Sequence, residues 1–84
     1  MNKWILVTFN DAMFYCERCG FRCKEVDLFD AEVKEFYLPG TKIEFKYRIQ
    51  NSDPVKFYIL PSVDGKRVDY EEFKRAVALA KGNQ

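Results

Sequence analysis

The fold of this chain is indicated most clearly by one alternating stretch, Thr41-Lys42-Ile43-Glu44-Phe45-Lys46-Tyr47-Arg48-Ile49. The odd positions from 43 to 49 are apolar or aromatic, and the even positions from 42 to 48 are charged. Because successive side chains of a strand point to opposite faces, this pattern predicts a β-strand with one buried face and one face in water.

The sequence after this stretch predicts a second strand, a hairpin and a helix. Residues 57–63 are an apolar run that we interpret as a neighbouring strand, after a turn-rich break at residues 50–54. Asp64-Gly65 predicts a hairpin turn into residues 66–68. Asp69, with Glu72 three positions later, has the pattern of a capping box for a helix over residues 69–81. The buried stripe of that helix is expected to comprise Tyr70, Phe73, Val77 and Ala80.

The sequence before the alternating stretch predicts a strand and two helices. Residues 4–9 are an apolar run with β-branched and aromatic side chains, typical of a buried first strand. Asn10 or Asp11 can cap a short helix over residues 11–19, which Gly20 ends. Residues 21–28 fit either a second strand or a continuation of that helix. Residues 30–38 place apolar side chains on one helical face, so they predict a further helix that ends at Pro39-Gly40.

Length and composition restrict the class of protein. The chain has 84 residues, of which 48% are hydrophobic and 17% aromatic, so we predict a single domain over residues 1–84 with a dense core. Fourteen basic and thirteen acidic residues leave a net charge of +1, which does not predict a nucleic-acid or anionic-membrane partner. No apolar run suits a membrane span or a signal peptide. The odd number of cysteines fits a reducing compartment, so a cytoplasmic location is expected.

The chemically distinctive feature of the chain is the cysteine cluster Cys16, Cys19 and Cys23. The chain contains no histidine, which excludes Cys-His catalysis within it and histidine-ligated metal sites. Cys16 and Cys19 form a C-x-x-C pair, which can close a disulfide at the start of a helix. The helix dipole, with Arg18 and Lys24, would favour a thiolate at Cys16. In this interpretation Cys16 attacks a substrate disulfide and Cys19 resolves the mixed disulfide.

Two other interpretations of the cysteines remain open. Cys16 and Cys19 fall on the apolar face of the predicted helix, where thiols serve as small core groups. Alternatively, Cys16, Cys19 and Cys23 could be metal ligands, with Asp27 as the fourth ligand that tetrahedral zinc requires.

The alternating stretch also combines basic and aromatic residues, a composition found in single-stranded nucleic-acid sites. Alternation, however, places Lys46 and Arg48 on the face opposite Phe45 and Tyr47, and Glu44 lies among the charges. We therefore predict a solvated sheet face there and do not expect nucleic acid as a partner.

Several of these segments resemble the glutaredoxin/thioredoxin group. They are the strand of residues 4–9, the run Tyr15-Cys16-Glu17-Arg18-Cys19, the run of residues 60–68 that contains Pro61, and the closing helix from Tyr70. The resemblance implies a small thioredoxin-like α/β sandwich, with a mixed sheet of three to four strands and two to three helices. It also implies that Pro61 is a cis-proline beside the cysteines. The glycine pair that holds glutathione in the family is missing at Val68-Asp69.

The sequence thus predicts a small thiol–disulfide oxidoreductase that uses Cys16, Cys19 and Pro61 on a protein disulfide, without a cofactor. One alternative is a non-enzymatic α/β protein-interaction module in which the cysteines are structural. A zinc-stabilised interaction domain is the other.

Overall fold

The computed structural model describes residues 4–24 and 33–82, which form one antiparallel sheet and two helical segments. The strands are β1 (Ile5–Val7), β2 (Arg22–Lys24), β3 (Val33–Tyr37), β4 (Ile43–Gln50), β5 (Lys56–Val63) and β6 (Lys66–Arg67). The helices are α1 (Phe9–Met13), which continues directly into a π-helical turn (Phe14–Arg18), and α2 (Tyr70–Gly82).

The strand order is β1-β5-β4-β3-β2, with β6 also on β5. Strands β3 to β6 follow one another through short turns, so each pairs antiparallel with the next. Strand β5 carries β4 along one edge, and its other edge is shared by β1 and β6. The first strand of the chain therefore lies beside the fifth, and the long β4–β5 pair lies in the middle of the sheet.

The predicted fold class is wrong. A thioredoxin-like α/β sandwich would have a mixed sheet of three to four strands, whereas this sheet has six strands and every pairing is antiparallel. The physical reason lies in the connections. Parallel neighbours need a long crossover, and the described chain joins β3, β4, β5 and β6 by turns too short to provide one.

The predicted helix over residues 30–38 is also wrong where it is described. Residues 33–37 form β3, which pairs with β4 at all five positions, and residues 30–32 lie outside the described ranges. The ring of Phe36 stacks on that of Phe45 with centroids 5.0 Å apart and planes 8° from parallel. This cross-strand packing outweighs the helical spacing of the apolar residues. Of residues 21–28, Arg22–Lys24 is a strand, and residues 25–28 are not described.

The second half of the chain follows the sequence predictions closely. Strands β4 and β5 are neighbours, and α2 spans Tyr70–Gly82. Asp64 and Gly65 have φ values of 54° and 80°, the left-handed conformation that a two-residue hairpin turn requires. At the start of α2 the Glu72 backbone N–H donates to Asp69 Oδ1 at 2.8 Å, as the capping pattern predicts.

The first helical segment begins earlier than predicted. Thr8 is its N-cap, and its Oγ1 accepts the Asp11 backbone N–H at 3.1 Å. The segment ends at Arg18 with Cys19 as its C-cap, and Gly20 follows with φ 89°, a conformation that a residue with a Cβ rarely adopts.

The core lies between the helical segments and one face of the sheet. Phe73 of α2 is fully buried, and its ring centroid lies 5.0 Å from that of Tyr15 and 5.8 Å from that of Phe45. The Tyr70 hydroxyl donates to Asp11 Oδ2 at 3.1 Å and so ties α2 to α1. Both helical segments therefore pack on the face of Phe45, and no helix of the described residues covers the opposite face of the sheet.

Candidate functional site

The three cysteines occupy three different environments. Cys16 lies half-buried in the π-helical turn, Cys19 is only 2% exposed in the core, and Cys23 is exposed on β2. All three are free thiols. The C-x-x-C pair therefore lies at the end of a helical segment, and Cys19 points into the core.

Burial disfavours the charged form of both thiols of the pair. Burial is the largest cause that raises the pKa of Cys16 from 9.0 to about 12; Glu17 and Cys23 contribute in the same direction and Lys34 opposes them. Burial likewise raises the pKa of Cys19, although Lys81 opposes this. Cys16 also lies seven residues after the first residue of α1, where the helix dipole gives little support to an anion. A nucleophilic thiol needs the opposite environment, because the thiolate is the reactive form.

The backbone at Cys19 has a structural contact with the last helix. Lys81 Nζ donates to the Cys19 carbonyl oxygen at 3.1 Å. A carbonyl at the end of a helical segment lacks an intrahelical partner, so this bond satisfies it and joins the segment to α2.

Pro61 does not have the geometry that the resemblance implies. The one cis peptide bond among the described residues is Asp53–Pro54, so the predicted cis bond at Pro61 is wrong. Pro61 is a buried residue of β5 opposite Phe45. The Pro61 carbonyl oxygen accepts the Val68 N–H at 3.4 Å, so the Pro61 carbonyl points away from β4. Proline is tolerated there because its missing N–H falls at the junction between β1 and β6 and removes no β4 hydrogen bond.

The alternative zinc site is not assembled by the described residues. Among residues 4–24 and 33–82 there is no group of three or more cysteine, aspartate or glutamate side chains that could hold a metal ion. Of the three cysteines suggested as ligands, Cys19 is enclosed in the core and Cys23 is exposed, so these two thiols lie in different environments. Asp27, the suggested fourth ligand, lies outside the described residues.

The face of the sheet opposite the helices, called the open face below, concentrates positive charge. Register and alternation place on it the even-numbered residues of β1, β2, β4 and β5 and the odd-numbered residues of β3 and β6. Its basic residues are Arg22, Lys24, Lys46, Arg48, Lys56 and Arg67. Its acidic residues are Glu35 and Glu44. Six basic against two acidic residues give an excess of four positive charges in a chain of net charge +1.

Both acidic residues of the open face are paired. Lys24 Nζ lies 2.5 Å from Glu44 Oε1, and Lys46 Nζ lies 3.7 Å from Glu35 Oε1. These pairs border a shallow cleft of about 270 Å³ between β2 and β6. The remaining basic side chains of the face form no salt bridge within the described ranges, and they are Arg22, Arg48, Lys56 and Arg67.

Aromatic and apolar side chains lie among these charges, mostly toward β1. Tyr58 of β5 is directly opposite Leu6 of β1 on one side and Arg48 of β4 on the other. Leu6 is 59% exposed. Trp4, one residue before β1, is half-buried and lies on the same face as Leu6 by alternation, because Ile5 packs against the core.

Sequence reasoning missed this surface because it considered one strand at a time. Within β4 the charges and rings do lie on opposite faces, as predicted. The rings of the open face come instead from β5 and from the residue before β1. Lys56, Tyr58 and Leu60 alternate along the sequence of β5. Only the β4–β5 register shows that these three side chains lie beside the charged residues of β4.

Comparisons with known proteins found no match: no family model, no curated protein and no solved structure matches this chain. Among the described residues, no helix has the length and apolar character needed to cross a membrane.

Proposed function

We propose that this protein is a small non-enzymatic binding module that binds a polyanionic ligand on the open face of its sheet. The observation that carries the proposal is the segregation of charge. A chain with nearly equal numbers of basic and acidic residues presents six basic and two acidic residues on this one face.

Charge segregation of this kind creates a local positive potential that the net charge of +1 conceals. Because Glu35 and Glu44 are each paired with a lysine, the charged side chains of the face that form no salt bridge within the described ranges are all cations. A polyanion that reaches them releases its own condensed counterions, which favours binding at low salt.

Thiol–disulfide exchange stays a prediction, and the environment of the cysteines favours the structural alternative. The pKa of Cys16 is raised to about 12, and Cys19 is enclosed in the core. A module with structural cysteines needs neither a thiolate nor a cis-proline, so it fits the geometry better than the enzyme does.

The proposal is tested by measuring the affinity of the protein for inorganic polyphosphate over a series of salt concentrations. Arg48→Glu reverses a charge on the open face, and Arg75→Glu makes the same change on α2. We expect Arg48→Glu to lower the affinity and to reduce the slope of log K against log salt by about 1. Arg75→Glu should leave both nearly unchanged. Absence of polyphosphate binding, or equal effects of the two variants, would overturn the proposal.

A further inference from the structure

We infer that the polyanion is a single-stranded nucleic acid, whose bases stack on Tyr58 and Trp4 while its phosphates lie against Arg48 and Lys56. This inference rests on the proposed function and names its ligand class. The juxtaposition that carries it is aromatic rings beside unpaired cations on the β1–β5–β4 part of the open face.

Tyr58 has the surroundings of a base-stacking residue. Leu6 and Arg48 are its direct cross-strand neighbours, and Lys56 precedes it by two positions on the same face. Directly opposed residues of an antiparallel pair have Cβ atoms about 5 Å apart, and residues two apart along a strand lie about 7 Å apart. A base on the ring therefore has two cations within reach of its flanking phosphates. Stacking on aromatic side chains beside a basic track is how proteins bind single strands without reading sequence.

Trp4 extends the same apolar track along β1. Continuing the β1–β5 register by one residue places Trp4 opposite Leu60, on the face of Leu6 and Tyr58. Leu60 is only 4% exposed although it lies outside the core cluster, so this part of the open face contains a small apolar patch of its own. Apolar rings next to unpaired cations suit a ligand that has both flat bases and phosphates.

The other half of the open face is less suited to phosphates. Glu35 and Glu44 lie on β3 and β4 and are held by ion pairs with Lys46 and Lys24. Their carboxylates would repel a phosphate backbone, so the ligand is expected on β1, β5 and β4 and not on β2 and β3.

A duplex does not match this surface. Its bases are already stacked and paired, and readers of a duplex place a helix, ribbon or arm in a groove. The rings of the open face lie on a sheet, between neighbouring strands. A single strand, whose bases can be splayed out, can use these rings as a stacking platform.

The inference is tested by the fluorescence of Trp4, the only tryptophan of the chain. Oligothymidylate and oligouridylate of about ten nucleotides, matched to binding sites of this kind, are titrated against the protein. A duplex of equal length, polyphosphate and polyglutamate serve as competing polyanions. We expect both single strands to quench Trp4 and to bind more tightly than the other polyanions.

A matched pair of tyrosine variants separates stacking from charge. Tyr58→Leu removes the ring beside Arg48, and Tyr37→Leu makes the same change on β3 of the open face. We expect Tyr58→Leu to weaken oligothymidylate binding by about 5- to 150-fold, the range for loss of one stacked base. Polyphosphate binding should change less than twofold, and Tyr37→Leu should have little effect on either ligand. Urea unfolding of both variants establishes that they are folded.

The outcomes distinguish this inference from the proposed function. Binding of polyphosphate without a preference for single strands, or equal effects of the two tyrosine variants, overturns the inference and leaves the polyanion module standing. Tighter binding of the duplex or of polyglutamate also overturns it. Failure of every polyanion to bind overturns both proposals together.

Discussion

At the residue scale, Cys16 links the stability of the protein to alkaline pH. The pKa of its thiol is 9.0 in its ordinary environment and about 12 in the folded protein. Between pH 9 and about pH 12 the Cys16 thiol has lost its proton in the unfolded chain but keeps it in the folded chain, so rising pH favours unfolding. The stabilising contribution is complete below pH 9 and is lost as the pH rises toward 12.

This dependence is measured as the urea midpoint of unfolding at a series of pH values from 8 upward. We expect Cys16→Ala to lose less stability than the wild type as the pH rises above 9. Leu79→Ala changes an exposed, non-titrating side chain of α2 and serves as the control, which should keep the wild-type dependence. Identical pH dependence in Cys16→Ala and the wild type would show that the folded environment of Cys16 does not oppose ionisation.

The reactivity of the thiols gives a second prediction at this scale. At neutral pH, a thiol-specific reagent should modify Cys23 first, because it is the exposed cysteine, and Cys19 only after unfolding. Cys23→Ser should therefore abolish the fast phase of labelling. A fast phase that persists in Cys23→Ser and disappears in Cys16→Ser would instead support the thiol–disulfide function.

At the element scale, α2 is expected to dock mainly through Phe73. Its ring is fully buried and contacts the aromatic cluster around Tyr15 and Phe45. Phe73→Ala should lower the free energy of unfolding by about 3–5 kcal/mol, a large fraction of the stability of a small domain. Leu79→Ala, at a position of the same helix that is 69% exposed, should change it by less than about 0.5 kcal/mol. Both changes in the free energy of unfolding are to be measured by urea denaturation. Similar losses of stability in the two variants would contradict this docking.

The β5–β6 hairpin depends on backbone conformation more than on packing. Gly65 has φ 80°, and a Cβ added there would meet no atom within 4 Å. Gly65→Ala should therefore cost about 1 kcal/mol through strain in the left-handed conformation. Gly82→Ala, in the open space at the end of α2, should be neutral or slightly stabilising because alanine favours the helix. A neutral Gly65→Ala in thermal unfolding would show that the turn adopts another conformation.

At the scale of the whole molecule, the unpaired cations on β4 and β5 of the open face, Arg48 and Lys56, are expected to set the salt dependence of single-strand binding. Single strands release about 0.7 counterions per neutralised phosphate, so two contacts predict a slope of log K against log salt of about −1.4. The slope is measured from affinities for oligothymidylate over a tenfold range of salt. A slope near zero would contradict binding through this face, because the charges of the face would then make no contact with phosphates.

The elements that could be predicted from sequence are those whose signals are local. Strict alternation identified β4, and Asp64-Gly65 and Asp69 identified the hairpin and the start of α2. In each case the pattern and the structure that it stabilises lie within a few residues of each other, so no long-range partner is needed. The break at Pro39-Gly40 was located by the same kind of signal, although it separates two strands and does not end a helix.

The remaining features depend on residues far apart in the chain. Val33–Tyr37 has helical spacing but is a strand because β4 offers it a partner at every position. The thiolate predicted at Cys16 is opposed by burial, which only the packed core creates. The open face combines residues from all six strands, and its excess of positive charge exists only in the antiparallel register. The sequence by itself determined the local elements of this protein, whereas the tertiary structure decided its topology and the charge of its open face, because pairing between distant strands selects which side chains share a face.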